Sequence, residues 1–172
     1  ELLSLLADHC RLTAVDVVSA PGVIELDLAD RDAVTSLVRD TQPAVFINAA
    51  AYTAVDRAET EADLARAVNA EAPALLADLA NEMGSLLIHY STDYVFDGSG
   101  ERPRHEDEPA APLNVYGRTK WEGEEAVRQA GCAHLIFRTS WVFSHHGHNF
   151  VKTMLRLGSE RAELDIVNDQ VG

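Results

Sequence analysis

Residues 86–98 read LLIHYSTDYVFDG, an apolar run of strand length followed by a polar turn. Residues 86–90 are typical of a strand buried in a parallel sheet, because they are apolar or aromatic almost throughout. The hydroxyls of Ser91 and Thr92 follow this strand directly. In open α/β folds, residues that follow a strand emerge at the edge of the sheet where ligands bind. The stretch therefore predicts an α/β domain with a ligand site just beyond this strand.

Strand-like and helix-like segments alternate on both sides of this stretch. The other strand-like runs are residues 12–16, 23–27, 44–48 and 134–138, and the helix-like segments lie between Asp30 and Pro43, over 56–83, over about 115–130 and around 150–155. Strands separated by helices imply right-handed crossovers. We therefore predict one Rossmann-like domain over residues 1–172, with a doubly wound parallel sheet whose apolar strands are buried on both faces.

Capping residues indicate where the helices begin and end. Asp30 is a typical N-cap residue for the helix that carries Val34 on its apolar face. Gly84 and Gly131 are natural stops for the helices before them. We expect the long segment over 56–83 to be helical and to break near Pro73.

The two ends of the sequence depart from this pattern. The sequence opens on a helix-like run at residues 2–6, and residues 168–172 stop in a loop. A doubly wound nucleotide-binding domain begins instead with a strand and a Gly-rich phosphate-binding turn. We therefore expect the fold to be incomplete at both ends, with the first strand and its Gly-rich loop missing.

Composition limits the function classes. The 28 acidic and 14 basic residues give a formal net charge of -14, which repels nucleic acid and anionic membrane surfaces. No apolar run approaches the ~20 residues that span a bilayer, and no signal peptide is recognisable. Cys10 and Cys132 lack the spacing of a disulfide framework or a zinc site. We expect a cytoplasmic protein that binds neither nucleic acid nor membrane.

The segment YGRTK at residues 116–120 contains the residues best suited to catalysis. Tyr116 and Lys120 are four residues apart, so a helix places them on one face. A free tyrosine titrates near ~10, and a neighbouring cation favours its phenolate. The same pair also occurs as two unrelated exposed side chains, so the spacing needs structural context.

That context comes from polar residues that follow other predicted strands. Thr92 could reach both Tyr116 and a substrate oxygen, although residues 91–98 also read as an ordinary polar turn. The small side chains at residues 48–53 allow close backbone approach by a flat ligand, or simply close helix packing. Asp16 ends a strand at a position where an acid can accept the ribose hydroxyls of adenosine, and Asp27 ends the next.

These segments together resemble the dTDP-4-dehydrorhamnose reductase family of extended short-chain dehydrogenases/reductases. The resemblance covers essentially the whole sequence and is carried by residues 48–56, 89–98, 111–120, 137–142, 149–155 and 168–172. It implies reduction of dTDP-4-dehydro-β-L-rhamnose to dTDP-β-L-rhamnose by NADH or NADPH. It also implies a C-terminal lobe that this sequence lacks.

The resemblance assigns roles to individual residues. It implies that Tyr116 donates the proton, that Lys120 lowers the tyrosine pKa and holds the nicotinamide ribose, and that Thr92 tunes Tyr116. Substrate contacts carry over to Thr92, Asp93 and Trp141. Cofactor contacts carry over to Asp16, Asp27, Leu28, Ala51, Tyr52, Thr53, Tyr90, Tyr116 and Lys120.

Several alternatives remain open from the sequence. The fold also suits a dinucleotide-binding regulatory subunit without activity, or another NAD-dependent sugar-nucleotide epimerase or dehydratase. The resemblance implies a possible Mg²⁺ cofactor, because Glu1 matches a magnesium ligand of some family members. Nothing else in this sequence supports a bound Mg²⁺. His145, His146 and His148 lack partner carboxylates at metal-binding spacing, so we predict no metal there. The sequence leaves open whether the protein forms a homodimer.

Overall fold

The structure is a computed structural model that describes residues 2–100 and 102–166. Strands and helices alternate along the chain. In order they are α1 (Leu2–Leu6), β1 (Ala14–Asp16), β2 (Val23–Glu25), α2 (Arg31–Thr41), β3 (Val45–Asn48), α3 (Val55–Ala58), α4 (Ala62–Arg66), a π-helical turn (Ala67–Glu71), α5 (Ala72–Met83), β4 (Leu86–Thr92), a 3-10 turn (Asp93–Val95), α6 (Val115–Gln129), β5 (Ala133–Thr139) and α7 (Phe150–Glu160).

The described strands form two parallel sheets. One sheet pairs β1 with β2, and the other has the order β3-β4-β5. Parallel strands joined through helices confirm the predicted α/β, Rossmann-like class. The carboxyl ends of β3, β4 and β5 therefore lie at one edge of their sheet.

The main core lies between the three-stranded sheet and helices α2, α5 and α6. Its buried side chains include Val34, Phe46, Leu76, Leu87 and Val127. The helix α2 begins as predicted, because the Asp30 side chain accepts a hydrogen bond from the Ala33 N–H. The helix α5 ends as predicted at Gly84, which has a φ of 65°.

The opposite face of this sheet is not buried, so the prediction of strands buried on both faces is wrong for the described residues. Val45 and Ile47 on β3 are 46% and 38% exposed, and Leu135 and Phe137 on β5 are similarly exposed. The physical reason is that α2, α5 and α6 pack on one face, whereas α1 and α7 have no buried residues. These strands therefore carry more apolar side chains than the described helices bury.

The helical segment over 56–83 also differs from prediction. It breaks at residues 59–61, which was not predicted, and the π-helical turn interrupts it just before Pro73, near the predicted break. Pro73 lies in the first turn of α5, where its missing N–H costs nothing. The π-helical turn brings Asn69 into the interior, where its side chain is fully buried.

Candidate active site

The helix α6 carries the two residues predicted to form a catalytic pair. It begins after Asn114, whose side chain accepts a hydrogen bond from the Gly117 N–H at 2.7 Å. Gly117 also permits close approach, since a Cβ there would lie 2.2 Å from the backbone oxygen of Tyr94. Tyr116 and Lys120 follow on one face of this anchored helix.

The carboxyl end of β4 supplies the polar groups beside this helix. The Thr92 hydroxyl donates to the Asp93 carboxylate at 3.1 Å and accepts from the Tyr94 N–H at 3.2 Å. This side-chain cap starts the 3-10 turn that follows β4. The turn packs against α6, and the rings of Tyr94 and Tyr116 meet edge to face at 5.5 Å.

Most of the predicted site residues line one cavity of about 540 Å³. It lies beyond the ends of β3 and β4, where α/β folds bind ligands. The predicted residues on its wall are Ala51, Thr53, Tyr90, Thr92, Asp93, Tyr116, Lys120 and Trp141. A neighbouring cavity of about 440 Å³ shares Asp93 and Trp141 with it.

Burial changes the pKa values of the predicted catalytic pair. The ammonium of Lys120 donates to the Tyr90 carbonyl at 2.6 Å, and its side chain is 1% exposed. Burial lowers the pKa of Lys120 to about 8, and the charge of Glu124 opposes this change. Burial raises the pKa of the Tyr116 phenol, whereas a hydrogen bond with Thr92 opposes the rise.

Trp141 stands at the mouth of both cavities in an uncommon backbone conformation. Its φ is 51°, in the left-handed region that non-glycine residues rarely adopt. The ring is half exposed and packs edge to face on Phe150 at 5.6 Å. Such strain is often kept at ligand sites, which agrees with the predicted substrate contact.

Four predicted cofactor residues do not line this cavity. Asp16 ends β1, and its carboxylate accepts the Val18 N–H at 3.0 Å. Asp27 follows β2 and accepts the Ala29 N–H, while Leu28 packs against the core. Tyr52 directs its hydroxyl to the Glu61 carboxylate. These residues lie at or after strand ends, and their cofactor contacts stay predictions.

The structure also reveals buried polar residues that the sequence reading missed. The Asn69 side chain accepts a hydrogen bond from the Tyr52 N–H and donates one to the Tyr52 carbonyl. It also donates a hydrogen bond to the Thr119 hydroxyl. His89 and Glu124 are fully buried beneath the cavity. Among Asn69, His89 and Glu124, only Glu124 had a sequence signal: it follows Lys120 by four residues, so a helix places the two on one face.

Two of the sequence predictions concern membrane-spanning helices and metal sites. Within residues 2–100 and 102–166, no helix is long and apolar enough to cross a membrane. The same residues contain no cluster of three or more potential metal ligands. Glu1, where the resemblance implies a possible Mg²⁺ contact, and the loop at 168–172 lie outside the described residues.

Comparison with known families gives this geometry its context. The family model described as the RmlD substrate binding domain matches residues 2–172. This chain belongs to that family. Among curated relatives of this RmlD-family chain, dTDP-4-dehydrorhamnose reductase of Escherichia coli K12 is 49% identical over 172 residues. That of Sinorhizobium fredii is 51% identical over 151 residues, which are 88% of this chain and 51% of the relative.

Solved structures agree with this membership. A dTDP-4-dehydrorhamnose reductase from Clostridium acetobutylicum matches 87% of this chain and 55% of its own, with a TM-score of 0.82 and 42% identity. The Bacillus anthracis reductase in complex with NADP matches 83% of this chain and 52% of its own, with a TM-score of 0.76 and 41% identity. The alignment with the Escherichia coli relative spans 100% of this RmlD-family chain and 57% of that relative.

Proposed function

We propose that this chain forms the catalytic part of a reductase that converts dTDP-4-dehydro-β-L-rhamnose to dTDP-β-L-rhamnose with NADH or NADPH. One observation carries the proposal: Tyr116, Lys120 and Thr92 meet Trp141 around a single cavity. Curated relatives about half identical to the chain are named dTDP-4-dehydrorhamnose reductase. The activity is proposed for the complete protein, because the chain spans about 57% of such relatives.

The cavity fits the nicotinamide half of a dinucleotide. Its volume of about 540 Å³ lies within the usual range of ligand pockets, and Ala49 and Ala51 leave room for a flat ring. Lys120 offers an ammonium to a ribose hydroxyl. When bound, reduced nicotinamide supplies the hydride. Asp16, Asp27, Leu28 and Tyr52 are the residues that we propose for the adenosine half and the adjoining backbone contacts.

Tyr116 serves as the proton donor in this scheme. Its phenol stays protonated at neutral pH because burial raises its pKa, so it can deliver a proton to a carbonyl oxygen. Lys120, whose pKa is about 8, remains mostly charged at neutral pH and stabilises the phenolate that forms. A hydrogen bond between the Thr92 hydroxyl and the Tyr116 phenol orients the proton donor.

In this proposal the substrate binds on the side of the cavity that Asp93 and Trp141 form. Asp93 and Trp141 line both this cavity and its neighbour, so a sugar held between them would face Tyr116. The half-exposed ring of Trp141 offers an apolar face to a deoxysugar. Asp93 offers a carboxylate to its hydroxyls.

The proposal includes a cellular setting. Cys10 and Cys132 are both free thiols, which suits a reducing cytoplasm. Besides the nicotinamide cofactor, the reaction requires the sugar nucleotide as its small-molecule partner. A homodimer stays a prediction, and sedimentation of the complete protein would test it.

The test is Tyr116→Phe in the complete protein, with carbonyl-dependent oxidation of NADH as the readout. We expect kcat to fall by at least about 100-fold, because a positioned proton donor contributes on that scale. The thermal midpoint should stay close to that of the wild type, and the Kd for NADH should stay within a few-fold of the wild-type value, since the ring remains. Turnover close to wild type would reject the proton-donor role.

The same assay separates the alternatives. A wild-type protein that binds NADH but shows no turnover of the 4-keto sugar would favour a regulatory subunit. Formation of an epimerised or dehydrated sugar without net oxidation of NADH would favour the sugar-nucleotide epimerase or dehydratase. Formation of dTDP-β-L-rhamnose with equal oxidation of NADH supports the proposal.

A further inference from the structure

Glu124 is a fully buried carboxylate that the proposed reaction does not use. It follows Lys120 by four residues on α6, so both side chains project from the same face of the helix. Lys120 is 1% exposed and Glu124 is 0% exposed. Burying an isolated charge is costly, so buried charges require partners nearby.

Two arginines hold Glu124 in place. From β5, the Arg138 Nε donates to the carboxylate Oε1 at 2.9 Å and Nη2 donates to Oε2 at 2.7 Å. From the next turn of α6, Arg128 Nη2 donates to Oε2 at 2.7 Å. Burial raises the pKa of Glu124, but these hydrogen bonds outweigh it and the pKa lies below its usual value. The carboxylate is therefore fixed and ionised.

Among the charged groups around Lys120, Glu124 is the one whose charge raises the lysine pKa against the effect of burial. On β4, His89 is neutral, because burial lowers its pKa to about 3. On β5, Arg138 is a cation bound to Glu124. Tyr116 on α6 and Asp93 on the 3-10 turn interact with each other at the cavity side.

Two charged residues from the helical region that contacts α6 have partners of their own. Glu59 next to α3 accepts the Val115 N–H at the start of α6. Arg66 of α4 pairs with Glu122, and the arginine side chain is 61% exposed. These contacts satisfy the two residues away from the buried Lys120 ammonium.

We propose that Glu124 is a positioning residue that keeps Lys120 charged one helical turn from Tyr116, with its carboxylate clamped by Arg138 and Arg128. The inference rests on the proposed reduction, in which Lys120 acts as a cation. Removing the negative charge would leave Lys120, Arg128 and Arg138 together without a buried counter-charge. Lys120 would then lose its proton at a lower pH.

The test compares Glu124→Gln with Glu125→Gln in the complete protein. Glu125 is a matched control, because it pairs with the same Arg128 at 2.6 Å yet its side chain is 39% exposed. We expect the alkaline limb of kcat/KM against pH to move down by about one pH unit or more in Glu124→Gln. The limb should stay in place in Glu125→Gln and in the charge-conserving Glu124→Asp.

A direct titration separates this inference from the proposed function. NMR of the Lys120 ammonium, assigned with Lys120→Arg, measures its pKa whether or not the protein turns over substrate. A lower pKa in Glu124→Gln supports the inference, and an unchanged pKa overturns it. Absence of turnover in the wild type would instead count against the proposed function alone.

A second variant covers the case in which Glu124→Gln does not fold. Glu124→Gln combined with Arg138→Met also removes the cation that would otherwise be buried without a partner. This double variant should regain stability, and its Lys120 pKa should lie below that of Arg138→Met, which lacks the same cation but keeps Glu124. Equal Lys120 pKa values in these two variants would show that Glu124 is only a structural partner of Arg138.

Discussion

At the scale of single residues, burial sets the protonation states of the pair that we propose as proton donor and cation. Burial lowers the pKa of Lys120 to about 8 and raises that of Tyr116. At neutral pH the phenol therefore keeps its proton while the ammonium keeps most of its charge. These are the states that the proposed reduction requires before each turnover.

Asp16 provides a prediction about cofactor choice. An exposed carboxylate at the end of β1 can accept ribose hydroxyls but repels a 2′-phosphate. We expect the complete protein to use NADH at least as well as NADPH. Asp16→Asn should lower the ratio of kcat/KM for NADH to that for NADPH by about 10-fold, which is about 1.4 kcal/mol.

The neighbouring strand offers a control for this prediction. Glu25 pairs with Asp16 across β1 and β2, so Glu25→Gln removes a nearby charge of the same sign. Its cofactor ratio should match the wild type. A strong wild-type preference for NADPH, or equal ratios in Asp16→Asn and wild type, would contradict the role of Asp16.

At the scale of elements, the sequence predicted more of the fold than of its packing. Asp30 and Gly84 predicted helix ends correctly, because capping depends on local hydrogen bonds and backbone conformation. Pro73 predicted an interruption of this helical segment, but no local signal predicted the π-helical turn before it. It is stabilised by Asn69, whose partners Tyr52 and Thr119 are 17 and 50 positions away.

The candidate site shows the same division. The spacing of Tyr116 and Lys120, and the position of Thr92 after a strand, were readable because they follow from helix and strand periodicity. Glu124 was not identified, because its importance depends on burial and on Arg138 of a different element. Charge balance inside a fold requires the contacts themselves.

Gly123 provides a prediction about how α6 is seated. A Cβ at this position would lie 2.2 Å from the backbone oxygen of Asn69, so the π-helical turn and α6 would have to separate. We expect Gly123→Ala to lower the free energy of unfolding by about 1–3 kcal/mol, as overpacking does. Urea unfolding of the complete protein measures the change.

Gly158 on α7 is the matched control for this substitution. A Cβ there would meet nothing within 4 Å, so Gly158→Ala should be neutral or stabilise the helix by up to about 1 kcal/mol. Equal effects of the two substitutions would show that α6 does not rely on close approach at Gly123. A loss confined to Gly123→Ala is the expected result.

At the scale of the whole molecule, the fold places a polar layer between the three-stranded sheet and α6. Asn48, His89, Lys120 and Glu124 are all buried there. Such a layer is stable only while its hydrogen bonds and charges stay matched. Its protonation should therefore control the stability of the protein as pH changes.

His89 provides the prediction at this scale. Its Nδ1 lies 3.1 Å from the Asn48 side-chain nitrogen, which is a donor, so the imidazole must be neutral and accept at Nδ1. Burial lowers its pKa from 6.5 to about 3. Below pH 6.5 the unfolded chain gains a proton that the folded chain refuses, so the free energy of unfolding falls as pH drops towards 3.

The pH window between 6.5 and about 5 isolates this effect, because the carboxylates with lowered pKa, such as Glu108, lose their contribution only below their ordinary value of 4.5. Across the window we expect a loss of about 1–2 kcal/mol in the free energy of unfolding, measured by urea titration. His89→Gln should remove most of that slope, because glutamine stays neutral and can still accept from Asn48. The exposed His9→Gln should retain it, and an unchanged slope in His89→Gln would mean that another buried group titrates there.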